Sequence, residues 1–400
     1  MKKYNDLFAE ALISHQIGLF QQSNRIRNKV LKILEDTEKK LADAIVARLA
    51  THQSFRAASD KRRLARLKKV IEELRGAAWD EIAVVWQEEV RQLAVAEPKF
   101  FRMIFESVVP ILAEVQVPPI SIIDSILRTQ PFEGRTLPEW AKHQKRTDLD
   151  NILKHIKLGM IQGETASEIS RRIVGTSRLP GSGVTGLSRR QMQGLILTSV
   201  NFINNSVRRE LHELNEEYFK EELFVATLDG RTSAICRKND GKIFPVGEGP
   251  IPPLHFRCRS LRVAVLDGEV LGERPFVATT ERQILRDYAQ ANGLGRNIRV
   301  RSELPRGHKG TYDAFRLSAI RSATGRLPAR TSYEDFLRNQ SVEFQNAVLG
   351  KTKAILFRKG DLSLDKFVNR LSKELTLEEL AKLHAANFIK AGLNPKNYIS

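Results

Sequence analysis

The two cysteines of the chain, Cys236 and Cys258, both fall in DGRTSAICRKNDGKIFPVGEGPIPPLHFRCRS (229–260), with His255 three residues before the second. Thiolate, imidazole and carboxylate are groups that a zinc ion accepts in a closed tetrahedral site. Asp229, Cys236, His255 and Cys258 are therefore a candidate metal set, with zinc as a candidate structural cofactor. The His-x-x-Cys spacing can put two ligands on one turn, and Gly241, Gly247, Gly249, Pro252 and Pro253 can shape the long return to Cys236. A segment with so little apolar content gains folding energy directly from a bound metal. Spacing alone leaves three other readings open: a metal-free module held by hydrogen bonds and packing, a disulfide, or a Cys/His nucleophile pair. The last needs both side chains within hydrogen-bond reach and a third group to orient the base.

The neighbouring residues suggest structural roles. Asp229 with Arg231 and Thr232 reads as a turn fixed by an Asx-type hydrogen bond and an ion pair. Asp240-Gly241 reads as a tight hairpin before Lys242–Phe244, and the stretch as a whole is too rich in turn formers for a helix. Arg257 and Arg259 alternate around Cys258, so on a strand they point the same way, toward phosphate or toward Asp229.

The elements that must hold this stretch are mostly helical. From Phe20 to Arg75 there is neither glycine nor proline, and Ile26, Val30, Leu34, Leu41, Ile45 and Leu49 recur at intervals that paint one helical face. Residues 1–97 read as long helices in a hairpin or bundle, with a break at SFRAASD (54–60). Pro98, Pro110, Pro118 and Pro119 punctuate the next stretch, and RTQPFEGRTLPEW (128–140) and TSRLPGSGVTG (176–186) read as loops. A helical pair is expected over 149–173, with Thr165 and Glu168 at capping-box spacing, and a further helix over 188–214. Leu223–Thr227 and Leu261–Leu266 have the branched apolar content of short strands. The last 70 or so residues return to helix, with Phe336, Leu337, Phe344, Val348 and Leu349 on a packing face and Gly350 and Gly360 as stops or hinges. The expected fold is α+β and predominantly helical. It divides into a helical region (1–130), a helical part of a core (131–222), a small β-containing module (223–270), and a basic loop with C-terminal helices (271–400).

Four hundred residues with a formal charge of +18 favour a polyanionic surface, most simply nucleic acid, with anionic lipid or an acidic protein as the alternatives. The excess concentrates in 296–330, where Arg296, Arg299, Arg301, Arg306, Lys309, Arg316, Arg321, Arg326 and Arg330 face only Glu303 and Asp313. Interspersed glycine and proline suggest a flexible arm rather than a recognition helix, touching phosphate without base preference. Two cysteines do not make a disulfide scaffold. Glu10 and His15 interrupt the apolar start, so no signal peptide is expected. No apolar run approaches the ~20 residues of a membrane helix, so assembly in the cytoplasm without a membrane partner is the expectation.

The compound pattern of Asp229, Arg231, Thr232, Cys236, Asp240, Gly241, Pro252, Pro253, His255, Cys258 and Arg259 resembles the signature of phage head morphogenesis proteins, the minor capsid proteins of the Mu F-like group. Residues 333–368 are similar to the segment C-terminal to that core in Mu-type members, and with Gly159, Gly163 and Ile169 the resemblance spans roughly 145–370. It implies a non-enzymatic minor head protein of the virion, assembled with the procapsid in the host cytoplasm. The implied partners are the portal, the major capsid or scaffolding protein, and double-stranded DNA. An Arg-Thr-Glu-like triplet common in the family is replaced here by Leu197-Thr198-Ser199, and no ADP-ribosyltransferase-like succession is present. Two competing classes remain. One is a metal-dependent nuclease or protease built on the Asp/Cys/His/Cys set, although HExxH is absent. The other is a nucleic-acid-binding factor with one zinc module.

Overall fold

The computed structural model describes residues 2–50, 58–108, 115–176, 179–180, 182–265, 272–295 and 297–399. Two very long helices, α1 (Lys2–Leu49) and α2 (Ala58–Val108), form an antiparallel hairpin. Three- and four-residue spacing puts Phe8, Leu12, Leu19, Ile26, Val30 and Leu34 on one buried face of α1, against Trp79, Ile82, Trp86, Val90 and Phe101 of α2. Of the break expected at 54–60, residues 54–57 lie outside the described residues and 58–60 are already helical. Pro110 also lies outside them.

Pro98 does not end a helix, as its type suggests; α2 runs through it. An interior proline costs about 3 kcal/mol or more of helix stability, and tertiary contacts on both sides offset it here. Glu97 is fully buried and takes hydrogen bonds from Arg208 and His15, while Phe101 and Phe105 pack in the core one turn later.

Helix α3 (Ile120–Thr129) and helix α4 (Leu137–Ile161) are separated by a short turn. The loop expected over 128–140 is thus confined to the turn itself. Pro138 suits the first turn of a helix, where no N–H is needed, and Thr136 caps it reciprocally with Glu139. Helix α5 (Ala166–Val174) starts at the expected Thr165–Glu168 capping box, with Glu168 N donating to Thr165 Oγ1 at 3.3 Å. Replacing Thr165 by alanine is expected to cost about 1 kcal/mol in a urea melt. A Cβ on Gly159 would come within 2.7 Å of Ile169, so only glycine lets α5 lie this close on α4. A two-residue pair, β1 (Gly175–Thr176) with β2 (Leu179–Pro180), occupies part of the expected 176–186 loop. Helix α6 (Val184–Leu214) begins four residues earlier than expected.

The small β region starts with β3 (Glu221–Val225) and β4 (Leu228–Asp229), followed by the short helix α7 (Ala234–Asn239). Strands β5 (Ile243–Pro245) and β6 (Leu261–Val265) flank β3 in an antiparallel sheet, with Leu223 opposite both Ile243 and Val263. Strand β7 (Glu273–Val277) runs parallel to β4. The helix α7 corrects the expectation that the turn-rich stretch holds none. Ser233 caps it, which outweighs the turn formers that lie further on. Asp240-Gly241 is accordingly a helix-to-strand turn and not a hairpin, with Gly241 at φ +78°. Leu266 lies outside the described residues.

Helix α8 (Glu281–Ala291) and helix α9 (Lys309–Ser322) pack on each other through Tyr288, Tyr312 and Phe315, and β8 (Thr324–Pro328) pairs with β7. The region read as a basic flexible arm is therefore folded. Carboxylates hold three of its arginines in place. Arg301 Nε donates to Asp313 at 2.7 Å, Arg316 to Glu281 at 2.7 Å, and Arg326 pairs with Glu273 and Glu10. The C-terminal core comprises α10 (Tyr333–Arg338), α11 (Val342–Leu349), α12 (Lys351–Lys359), α13 (Leu377–Leu383) and α14 (Ala385–Lys390). Gly350 and Gly360 stop α11 and α12 as expected, and Phe336, Leu337, Phe344 and Leu349 are buried.

Candidate metal centre

The β3–β6 sheet and α7 bring the two cysteines together from opposite ends of the motif. Cys236 sits in the first turn of α7, where its N–H faces the capping hydroxyl of Ser233 at 3.4 Å. Cys258 sits just before β6, at the end of a turn closed by Cys258 N donating to His255 O at 3.1 Å. The sulfurs are 3.7 Å apart, and Cys236 Sγ is 3.3 Å from His255 Nε2. Both cysteines are free and sealed from solvent, at 2% and 0% exposure.

These distances suit zinc. With Zn–S of about 2.3 Å and Zn–N of about 2.0–2.1 Å, a tetrahedral ion separates two sulfurs by about 3.8 Å and sulfur from nitrogen by about 3.6 Å. His255 is also turned correctly. Its Nδ1 donates to the carbonyl of Phe256 at 2.8 Å, which leaves the Nε2 lone pair facing the sulfurs. Ser233 Oγ lies 2.7 Å from the same Nε2. Among the described residues, Cys236, His255 and Cys258 are the group whose ligand atoms lie within 4.8 Å of one another, and this cluster can hold a structural metal such as zinc.

Asp229 is not in that group, which corrects the four-residue set. Its carboxylate accepts two hydrogen bonds from the Arg259 guanidinium, at 2.6 and 2.7 Å. It also accepts from Arg231 N at 2.9 Å and lies 3.1 Å from Arg231 Nη2. A carboxylate so occupied, with an arginine fork on both oxygens, has no free face for a cation. The expected Asx turn and ion pair are what the residue forms.

The charges fit a sulfur-centred site. The hydrogen bond from Cys236 holds the Cys258 thiol well below its ordinary range, while the same contact and burial push Cys236 up. The hydrogen bond to Cys258 raises His255 against the opposing effect of burial.

The remaining motif residues brace the module. Asp240 accepts from Ala226 N at 2.6 Å and from Arg274 at 2.9 Å, while Gly241 N donates to Phe224 O at 2.9 Å. Thr232 donates to Thr227 O. Pro252-Pro253 lead into the His255 turn. Arg257 is not on a strand; it stands at φ +62°, and its N–H donates to Thr198 Oγ1 at 2.9 Å. Arg257 and Arg259 nevertheless line one cavity. In the tract beyond, Arg299 N donates to Glu303 at 2.6 Å, Arg306 lies on a 3₁₀ turn, Lys309 begins α9 and Arg321 lies near its end. Arg330 comes just after β8, and Arg296 is outside the described residues. None of these lies in the metal cluster.

A buried polar chain from the helices was missed. Arg208 on α6 donates to Glu97 and, at 2.8 Å, to Gln16. Gln16 donates to Asn201, and Asn201 donates to the carbonyl of Cys258 at 3.0 Å. The signal was available: Asn201, Asn204 and Asn205 interrupt the apolar face of α6 and are buried, and buried amides must find partners. Thr198 and Ser199 serve the same packing, with Thr198 Oγ1 accepting from Arg257 N at 2.9 Å. Ser199 Oγ accepts from Trp86 Nε1 at 3.0 Å.

The helical scaffold thus closes around two sealed thiols with a half-buried imidazole beside them. Residues 150–262, which run from the middle of α4 through α6 and the Cys/His motif to the start of β6, match the family described as Phage Mu protein F like protein. The match covers less than a third of the chain, and the likeness to that family lies in this stretch. No curated protein and no solved structure matches the chain. No helix among the described residues is long and apolar enough to cross a membrane.

Proposed function

We propose that this protein is a minor component of a phage head that docks on the portal or the inner capsid while the procapsid assembles, and that it touches packaged DNA through phosphate. The observation that carries this reading is the direction in which the chemistry faces. The two thiols are sealed, and the ion pairs Asp229–Arg259, Asp240–Arg274 and Glu97–Arg208 all point inward, tying the module to its neighbours. Free apolar side chains lie instead on the outer faces of the helices. Val84 is 69% exposed, Met103 55% and Ile120 54%. Separated apolar anchors on rigid helices are what a protein ring or shell can grip.

Purified protein is expected to co-sediment with portal rings or procapsids. A Val84→Glu/Met103→Glu variant should lose affinity roughly tenfold or more, as truncated anchors at an interface centre do. Failure to associate with portal or procapsid at every stage of assembly sinks the reading. So does turnover of DNA or capsid protein with a divalent metal that His255→Ala abolishes.

A further inference from the structure

Between α1, α6 and the Cys/His module lies a cavity of about 360 Å³ whose lining includes Arg27, Arg231, Arg257 and Arg259, with Asn24 and Gln193. Among the described residues, no carboxylate lines it. Asp229, behind the wall, neutralises one charge while fixing both Arg231 and Arg259. Arg27 donates to the Asn28 side-chain oxygen and Arg257 to the carbonyl of Arg190, so neither has a carboxylate partner among the described residues. Four arginines from three parts of the chain thus line one cavity, with Asp229 paired to two of them. Like charges placed together cost free energy unless an anion completes the set.

We propose that this cavity is a phosphate-binding site. Guanidinium forks match the several oxygens of a tetrahedral phosphate better than they match a lone carboxylate, which Asp229 already supplies. The volume lies within the roughly 300–1,000 Å³ of small-ligand sites, so the space exceeds that of a bare ion and accepts a phosphate with its ester substituents. Arg259 is held rigid by Asp229, and Arg257 by its backbone bond to Thr198. Arg231, 78% exposed at the side chain, can close over the ligand. The site stands on this geometry alone; it depends on the reading above only for the source of the phosphate, a DNA phosphodiester as opposed to free phosphate.

The test uses the full-length protein and an Arg27→Gln/Arg231→Gln variant, which leaves the structural Asp229–Arg259 pair intact. Circular dichroism checks the fold, and Arg282→Gln/Arg286→Gln on α8 controls for the change in net charge. Binding of a 20-base-pair duplex, read by fluorescence anisotropy against salt, is expected to weaken roughly tenfold or more. The slope of log affinity against log salt should fall by about one for each phosphate the variant no longer holds, and the α8 control should change neither. In parallel, inorganic phosphate at constant ionic strength is expected to raise the melting temperature of the parent but not of the variant. If phosphate stabilises the parent alone while duplex binding is unchanged by the variant, the site stands and takes a small phosphate, and the DNA contact assigned to it falls. If neither ligand distinguishes parent from variant, the proposal is overturned.

Discussion

Metal analysis of the purified protein is expected to find about one zinc per chain, and chelation should lower its melting temperature by roughly 6–12 °C or more. The size reflects what a structural zinc does. Apparent binding free energies in small zinc modules are about 10–16 kcal/mol. If only ~3 kcal/mol of that appears as stability, and each kcal/mol shifts melting by about 2–4 °C in a mid-sized domain, the shift is of that order. Cys258→Ser is expected to produce the same loss, after which the chelator has no further effect. Acid should release the ion, because binding needs both sulfurs as thiolates. Cys258 already favours that state, whereas Cys236 is pushed up and must give up its proton to the bound form. A chain that purifies without zinc or iron, and melts at the same temperature with and without chelator, would leave the three side chains as a hydrogen-bonded knot.

Asp229→Ala is expected to destabilise the protein by about 3–5 kcal/mol in a urea melt, the cost of stranding one member of a buried ion pair. Arg259 would keep its charge at 15% side-chain exposure with no carboxylate to accept from it. Burial opposes ionisation of Asp229, but the Arg259 hydrogen bonds and the nearby guanidinium charges outweigh it and hold the carboxyl below its usual range. A depressed carboxyl contributes stability that is fully present above its unfolded value, near 4, and is lost as pH falls through the lower folded value. The parent should therefore lose stability as pH drops below about 4, and Asp229→Ala should lose less over the same window. The Asp229→Ala/Arg259→Met double variant should recover part of the loss, since removing both charges removes the stranded one. A single variant as stable as the parent would contradict this account of the ion pair.

How much of the fold and the site is legible in the sequence depends on the range of the interactions. The capping box at Thr165 and the Asx turn at Asp229 are settled by residues two or three apart, and both can be read from the sequence. Helix stops at Gly350 and Gly360 are legible for the same reason. The readings of Pro98 and of 296–330 failed because each extrapolated a local preference that distant partners override. Glu97, beside the proline, is locked by Arg208, 111 positions away, and Arg326 meets Glu10 from 316 positions away. Ser233 was missed although it stands three residues before Cys236, the spacing of a helix cap, because the turn-rich composition hid a helix of six residues.

The sequence alone determined the long N-terminal helices, the two strands at 223–227 and 261–266 and the presence of a thiol–imidazole set, since hydrophobic period, caps and residue types are properties of neighbouring positions. Only the tertiary structure decided that Asp229 belongs to Arg259 and not to the metal set, and that Arg27 of the first helix joins the arginines of the module around one cavity. Which of several available partners a charged side chain takes is fixed by packing between elements 30 positions apart, as for Asp229 and Arg259, or some two hundred apart, as for Arg27 and the module, and spacing alone does not choose among them.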